Sequence, residues 1–285
     1  MERIGRVGVV GAGQMGAGIA EVSARAGVDV TVFEPTEALV TAGRDRIVKS
    51  LERGVSAGKI TERERDAATA LLSFTTNLDD LVDRQLVIEA VIEDEAVKAK
   101  IFAQLDDILT DPDAVLASNT SSIPIMKLAA ATKNPRRVLG LHFFNPVPVL
   151  PLVELVSTLV TDDAAAARTE DFAGAVLGKQ VVRCADRSGF VVNALLVPYL
   201  LSAIRMVEAG FAGAEDIDKA VVAGLSHPMG PLRLSDLIGL DTLKLIADKM
   251  FDEFKQSQYA PPPLLLRMVE AGLLGKKSGQ GFYRY

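Results

Sequence analysis

Two residues carry the clearest chemistry in the chain. His142 is one of only two histidines and lies in Leu141-His142-Phe143-Phe144-Asn145-Pro146. Glu154 is the single acid within the apolar run Leu152-Val153-Glu154-Leu155-Val156. A carboxylate in such a run is costly to bury without a partner, and His142 is the obvious one. A histidine held and charged by a buried glutamate is a general acid/base unit. The apolar stretch from Arg137 to Leu141 reads as a strand with His142 just beyond its end, and Pro151 to Val156 as another.

The first fifth of the chain reads as a dinucleotide site. Val7 to Val10 is a short β-branched run, a fully buried parallel strand. Gly11-Ala12-Gly13-Gln14-Met15-Gly16 follows and opens a helix that runs to Ala26, with Gly27 as its stop. In this pattern Gly11 allows the tight turn, Gly13 admits a pyrophosphate to the backbone, and Gly16 lets helix pack on strand. The helix N-terminus then turns its unpaired N–H groups to the phosphates. The next strand, Val28 to Phe33, ends in Glu34. A carboxylate there accepts hydrogen bonds from both ribose hydroxyls and repels a 2′-phosphate, which favours NAD over NADP. An ordinary glycine turn beside a surface glutamate would not need this strand, helix and acid together. Proton transfer at His142 coupled to hydride transfer is the chemistry implied.

The elements that position these groups alternate strand and helix. Helices are expected over Glu37–Ser56, Thr61–Leu71 and Glu93–Leu109, and strands over Leu86–Ala90, Val115–Ala117 and Val138–Leu141. That alternation predicts a doubly wound, Rossmann-like parallel sheet. Ligands of such sheets sit beyond the carboxyl ends of the strands. Ser118-Asn119-Thr120-Ser121-Ser122 follows one of those strands; it reads either as a polar cluster for a ligand or as a helix N-cap run before Pro124. His142 and Asn145 fall on the same rim, which favours the first reading. After about Val182 the pattern turns helical: Phe190–Val207, Ala214–Ala223, Asp236–Lys255 and Pro263–Ala271, with no convincing strand. The expected organisation is an α/β domain over residues 1–185 and an all-helical domain over 186–285. The run from Phe190 to Ile204 is apolar all round, so it must be buried on every side. That motivates a homodimer through the helical domain, unless one subunit buries it alone.

Composition narrows the class. The net charge of −6 and a pI near 5.1 give no electrostatic reason to expect nucleic acid or a membrane surface. One cysteine, Cys184, excludes an intramolecular disulfide or a cysteine metal cluster, and two histidines argue against zinc. No apolar run is long enough to span a bilayer, and no signal-peptide core precedes the first strand. A cytoplasmic or matrix enzyme is expected.

The chain resembles the short, monofunctional L-3-hydroxyacyl-CoA dehydrogenases, especially the bacterial 3-hydroxybutyryl-CoA dehydrogenases, over essentially its whole length. The motifs that carry the resemblance are Val9 to Gly16, Glu89-Ala90-Val91-Ile92-Glu93, Ala117 to Ser122 and His142 to Pro146. Ser188 to Asn193, His227-Pro228-Met229-Gly230-Pro231 and Gly279 to Tyr283 also match. The resemblance implies that His142 takes the proton from the 3-hydroxyl while hydride leaves C3 for the nicotinamide. Glu154 would orient His142 and stabilise its imidazolium, and Ser121 and Asn193 would hydrogen-bond the substrate oxygens. Asn145 would sit beside the base. Around NAD, the glycine turn with Gln14 and Met15 would hold the phosphates, Glu34 the adenosine ribose, and Ala90, Glu93, Lys98, Asn119 and Ser121 the nicotinamide end. Lys277 would reach over from the helical domain. For the acyl-CoA, Ser50 and Lys59 are the nearest matches to the family's CoA-binding serine and lysine.

Departures are few. Glu34 stands where many relatives carry aspartate. Asp94-Glu95 makes one helix start more acidic, which suits a helix N-terminus. His227 has no acid near it in sequence and reads as part of a helix-ending turn. Cys184 reads as a packed strand-end residue. Arg44, Arg46, Lys49, Arg53 and Lys59 form a basic stretch, either a solvated helix face or a landing place for CoA phosphates. Two other readings differ in class. A dehydrogenase of a free hydroxy or sugar acid would need an arginine clamp near His142, and Arg136-Arg137 lie at the wrong end of their strand. A non-catalytic NAD-binding protein would have no use for a paired base. The 6-phosphogluconate-type dehydrogenases place a catalytic lysine on the long helix of the second domain, where this chain has Asn193.

Overall fold

The computed structural model of the protein describes residues 3–285, and the chain divides into two units between Arg187 and Ser188. In the first unit, β-branched runs form strands and glycine or polar residues punctuate them. The elements are β1 (Arg6–Val10), α1 (Gln14–Arg25), β2 (Asp29–Phe33), α2 (Glu37–Ser56), α3 (Glu62–Ala70) and β3 (Leu72–Thr75). Then come β4 (Leu86–Glu89), α4 (Glu95–Ile108), β5 (Val115–Ser118), α5 (Ile125–Ala129), β6 (Val138–Phe143), β7 (Leu152–Ser157), α6 (Asp163–Asp171) and β8 (Gln180–Ala185). Helix starts are set by local caps. Thr36 caps α2, Thr61 and Glu64 form a reciprocal box at α3, and Asp94 caps α4.

The eight strands form one sheet in the order β3-β2-β1-β4-β5-β6-β7-β8. All neighbouring pairs are parallel except β6 with β7. The first six strands therefore follow the doubly wound order, with chain direction switching sides between β1 and β4. β1, β4 and β5 are buried along almost their whole length, because helices cover both faces. The core includes Val7, Val9, Ile88, Val115 and Leu139, with Ile19 of α1 and Ile47 of α2 packed onto them.

In the first unit, three expectations need correction. β6 does not stop at Leu141: antiparallel pairing with β7 carries it to Phe143, so His142 lies inside the strand, opposite Glu154. α4 begins at Glu95, because Asp94 spends its carboxylate as the N-cap on the Val97 N–H. β3 and α6 have no counterpart among the expected elements, and α5 and β8 only an indirect one, through the N-cap reading before Pro124 and through Cys184 as a strand-end residue. β3 is only four residues long, and both β3 and β8 are half-exposed edge strands without a clean apolar pattern.

The second unit is helical: α7 (Val192–Glu208), α8 (Ala214–Leu225), α9 (Pro231–Ile238), α10 (Leu240–Phe254) and α11 (Pro263–Glu270). Its core is built from Val197, Leu200, Ile204, Leu232, Leu243 and Met250. The helix expected over Asp236–Lys255 is two. Gly239 adopts φ 98°, outside any helical geometry, and separates α9 from α10. α7 starts at Val192 rather than Phe190, which has φ 45°. Nor is α7 covered on all sides within one chain: Leu200 and Ile204 are fully buried, but Leu195 is 73% exposed.

Two buried acids fasten the unit. Asp218 of α8 accepts the Leu232 and Arg233 N–H groups at the start of α9 and the Tyr283 hydroxyl, at 2.8, 3.0 and 2.7 Å. Asp236 of α9 accepts the Phe282 and Tyr283 N–H groups, each at 2.9 Å. The Arg233 guanidinium stacks over the Tyr283 ring.

Candidate active site

The glycine turn is shaped by contact. Gly11 has φ 94° and donates its N–H to the Phe33 carbonyl, so the chain reverses at once from β1. A Cβ on Gly16 would stand 1.8 Å from the Gly11 carbonyl oxygen, so only glycine fits where α1 meets the turn. Gly13 faces open space and is the N-cap of α1 without a side-chain cap. The first N–H groups of α1 therefore have no side-chain acceptor, as an anion-binding helix start requires. Glu34, at the end of β2, accepts the Ala12 N–H, and Arg46 of α2 donates to the Ala12 carbonyl. Glu34 thus stands against the turn itself. These features fit a dinucleotide: a bare helix N-terminus for the pyrophosphate and an acid one strand away for a ribose.

Across the switch point, β4 and β5 end in a polar network. Glu89 is fully buried; it accepts the Val91 N–H at 2.7 Å, the Lys98 ammonium at 2.6 Å and the Ser118 hydroxyl at 2.7 Å. Lys98, on α4 and only 1% exposed, also lies 3.4 Å from Glu93. Glu93 accepts the hydroxyls of Thr120 and Ser122 and the Ser121 N–H. Burial alone would raise the Glu93 carboxyl. The Lys98 charge and the two hydroxyls outweigh it and hold Glu93 below the ordinary carboxylate range.

The third part lies on β6 and β7. His142 and Glu154 are directly opposed in the antiparallel register, and both are buried. His142 Nδ1 is 2.7 Å from Glu154 Oε2. The His142 ring packs at 4.6 Å on Phe144. Asn119 ties the second and third parts together, its side-chain oxygen accepting the Phe143 N–H at 2.9 Å. The Gln14 amide of α1 reaches the Asn145 side chain at 3.0 Å, which ties the glycine turn to the loop after β6.

The rim of the first unit therefore brings together Gly11, Gly13, Gln14, Gly16 and Glu34 on one side of the switch point. Glu93, Asn119, Ser121, His142, Asn145 and Glu154 stand on the other. Met15 and Ala90 lie half-buried within the same turns. Lys98 is underneath the rim, touching Glu93 from behind. Ser50 is half-buried on α2 and Lys59 exposed in the turn after it, and no side-chain bond links either to the set above among the described residues. Of the basic stretch, Arg46 is spent on Ala12 and Arg44 stacks on the Phe74 ring. Asn193 stands in the first turn of α7, and Lys277 pairs with Asp241 at 2.6 Å, both in the second unit. His227 follows α8 in a left-handed turn, its Nδ1 3.5 Å from the Tyr199 hydroxyl. Arg137 is buried on Asp106 at the far end of β6.

Sequence reasoning gave Glu89 no role of its own and named Thr120 and Ser122 only as members of the polar cluster after β5. Glu89 did carry a signal, the same one as Glu154: a lone acid ending the apolar run Leu86-Val87-Ile88. No group of histidine, cysteine and acid side chains among the described residues could hold a metal, and no described helix is long and apolar enough to cross a membrane.

Comparison with known proteins agrees with this geometry. The NAD binding domain of 3-hydroxyacyl-CoA dehydrogenase matches residues 6–187, and the C-terminal domain of the same family matches residues 189–285. A 3-hydroxybutyryl-CoA dehydrogenase of Mycobacterium tuberculosis is 84% identical over 284 residues, covering 100% of this chain and 99% of that protein. The mitochondrial hydroxyacyl-coenzyme A dehydrogenase of Sus scrofa is 41% identical, covering 98% of this chain and 90% of its own. The crystal structure of (S)-3-hydroxybutyryl-CoA dehydrogenase from Ralstonia eutropha superposes with a TM-score of 0.95 at 42% identity, covering 99% of each chain. A glycine turn built for a dinucleotide and two family domains that together span the chain lead to one assignment: the protein belongs to the 3-hydroxyacyl-CoA dehydrogenase family and is an NAD-dependent oxidoreductase of it.

Proposed function

We propose that the protein oxidises short (S)-3-hydroxyacyl-CoA esters, such as 3-hydroxybutyryl-CoA, to 3-oxoacyl-CoA, and catalyses the reverse. The observation that carries this reading is the buried His142–Glu154 pair at 2.7 Å on the strand rim. With Nδ1–H committed to the carboxylate, the basic lone pair of the neutral ring lies on Nε2. His142 then takes the 3-hydroxyl proton as the C3–H bond breaks, and Glu154 stabilises the imidazolium that forms. A fixed anion there favours the transition state over the neutral ground state. NAD, when bound, supplies the hydride acceptor. In the reverse direction the protonated His142 donates to the ketone, whose oxygen Ser121 and Asn193 polarise. Glu34 takes the adenosine ribose, Glu93 and Asn119 the nicotinamide side, and Lys277 assists from the helical unit. Ser50 and Lys59 contact the CoA portion. The close relatives named for 3-hydroxybutyryl-CoA support the short-chain substrate.

The helical unit exposes large apolar side chains: Leu195 of α7, Phe211 before α8 and Leu225 at its end. Such a surface favours self-association, and we assign a homodimer through this unit; light scattering on the eluting protein tests it, and a monomer at micromolar concentration rejects it. A free hydroxy acid is the second reading. It needs a cation for the carboxylate, and the engagement of Arg137 with Asp106 argues against it.

The deciding assay follows NADH oxidation at 340 nm with acetoacetyl-CoA, using NADPH and free acetoacetate as controls. Turnover of acetoacetyl-CoA with NADH alone is expected. Retained NADH binding without turnover of the thioester rejects the acyl-CoA reading.

A further inference from the structure

We propose that Glu89 is a positioning residue for the cofactor: its buried carboxylate holds the Lys98 ammonium back from Glu93, so that Glu93 keeps its acceptor capacity at the rim. The proposal rests on the reading that this rim holds the nicotinamide half of NAD.

Three charged groups share a small space. Lys98 lies 2.6 Å from Glu89 Oε1 and 3.4 Å from Glu93 Oε2, and it is almost without exposure. It thus leans on the inner carboxylate and only grazes the outer one. Glu89 can bear this role because its other lone pairs are satisfied. The Val91 N–H shares Oε1, and the Ser118 hydroxyl takes Oε2. Glu93 Oε1 is already engaged by Thr120, Ser121 and Ser122. Only Oε2 remains to receive a hydroxyl donor from a ligand, and that is the oxygen facing Lys98.

Removing the Glu89 charge changes the balance. Glu93 becomes the one carboxylate in reach of a buried ammonium. An ion pair in low dielectric contracts toward hydrogen-bond length. Lys98 then saturates Glu93 Oε2, and the net negative charge of the triad disappears. Both changes weaken a ligand that offers ribose hydroxyls. The loss of net charge acts in addition on an oxidised nicotinamide ring, which is cationic, and spares the neutral reduced ring. Glu89 therefore biases the site towards NAD⁺ relative to NADH, without touching either.

The test measures dissociation constants for NADH, by its own fluorescence, and for NAD⁺, by competition, on the full chain. Glu89→Gln is expected to weaken NAD⁺ about tenfold and NADH about threefold, with KM for acetoacetyl-CoA within twofold of wild type. The double variant Glu89→Gln/Lys98→Met, which removes both inner charges, is expected to return both constants to within about threefold of wild type. A merely structural role would lower the melting temperature and leave the ratio of the two constants unchanged, which overturns the proposal, as does a double variant no better than the single. If Glu89→Gln does not fold, Glu89→Asp retains the charge but retreats from Lys98. A smaller weakening biased to NAD⁺ supports the proposal, and unchanged constants overturn it. Glu93→Gln separates the two ideas. If it leaves NADH binding untouched, the rim is not the nicotinamide site; if it weakens NADH while Glu89→Gln does not, only the Glu89 proposal falls.

Discussion

The same sheet buries two carboxylates near strand ends, and each has a basic partner at almost the same distance. Glu89 on β4 meets Lys98 at 2.6 Å; Glu154 on β7 meets His142 at 2.7 Å. Burial and geometry are alike, so the difference lies in the partner. Lysine ordinarily keeps its proton across the physiological range, whereas histidine gains and loses one within it. The first pair organises its surroundings. The second, in the proposed reaction, moves a proton. Buried ion pairs are therefore not one kind of object: the intrinsic basicity of the cation decides whether the pair serves architecture or chemistry.

The largest effect is expected at His142. His142→Ala should lower kcat with acetoacetyl-CoA and NADH by about two to four orders of magnitude, with NADH binding nearly unchanged. A comparable kinetic loss in Lys98→Met at retained cofactor affinity would show that the Glu89–Lys98 pair takes part in the chemistry as well. Glu154→Gln keeps the shape but removes the anion, and should cost about a hundredfold in kcat. Its charge has a built-in reporter. Burial first, then Glu154 and Asp186, push the Cys184 thiol up to about 11. Iodoacetamide should therefore modify Cys184 several-fold faster in Glu154→Gln than in wild type, and at an unchanged rate in Glu89→Gln.

Stability should rank the other way. Lys98→Met leaves a buried, unpaired Glu89, a loss of about 3–5 kcal/mol. A fall of about 10 °C in melting temperature is expected, against a few degrees for Glu154→Gln, which leaves no buried carboxylate without its partner. Differential scanning calorimetry of both variants checks the order. The smallest effect concerns Glu93, whose carboxyl is held below the ordinary range. A lowered folded value adds stability that is present above the unfolded value and is lost as pH falls through the folded one. The melting-temperature gap between wild type and Glu93→Gln should be constant from pH 7 to 5 and close below about pH 4. A gap that widens on acidification would reverse the sign assigned to Lys98.

Much of this was legible in local pattern. The glycine turn, the alternation of strands and helices, and the lone Glu154 in an apolar run each have a short-range physical cause. Glu89 carried the same mark as Glu154 and was passed over because its partner, Lys98, sits on a helix where lysine ordinarily faces solvent. β3 and β8 were hidden because an edge strand needs no continuous apolar pattern. The break at Gly239 was masked by good helical period on both sides. The exposure of Leu195 could not be read at all, since periodicity says which face is apolar and not what covers it.

The fastening of Asp218 and Asp236 has a consequence for biosynthesis. Asp218 reaches a tyrosine 65 positions later, and Asp236 backbone groups 46 and 47 positions later. On the ribosome, α8 and α9 emerge long before those donors exist, so Asp236 stays hydrated until residues 282 and 283 arrive, and Asp218 has only the Leu232 and Arg233 N–H groups until then. The helical unit thus tests for the presence of residues 282 and 283. Chains halted before Gly281 should remain open to protease in pulse-chase digestion, and equal resistance would show that the clasp is dispensable. Incomplete products would in this way be marked for removal by their own unpaired carboxylates rather than by any dedicated signal.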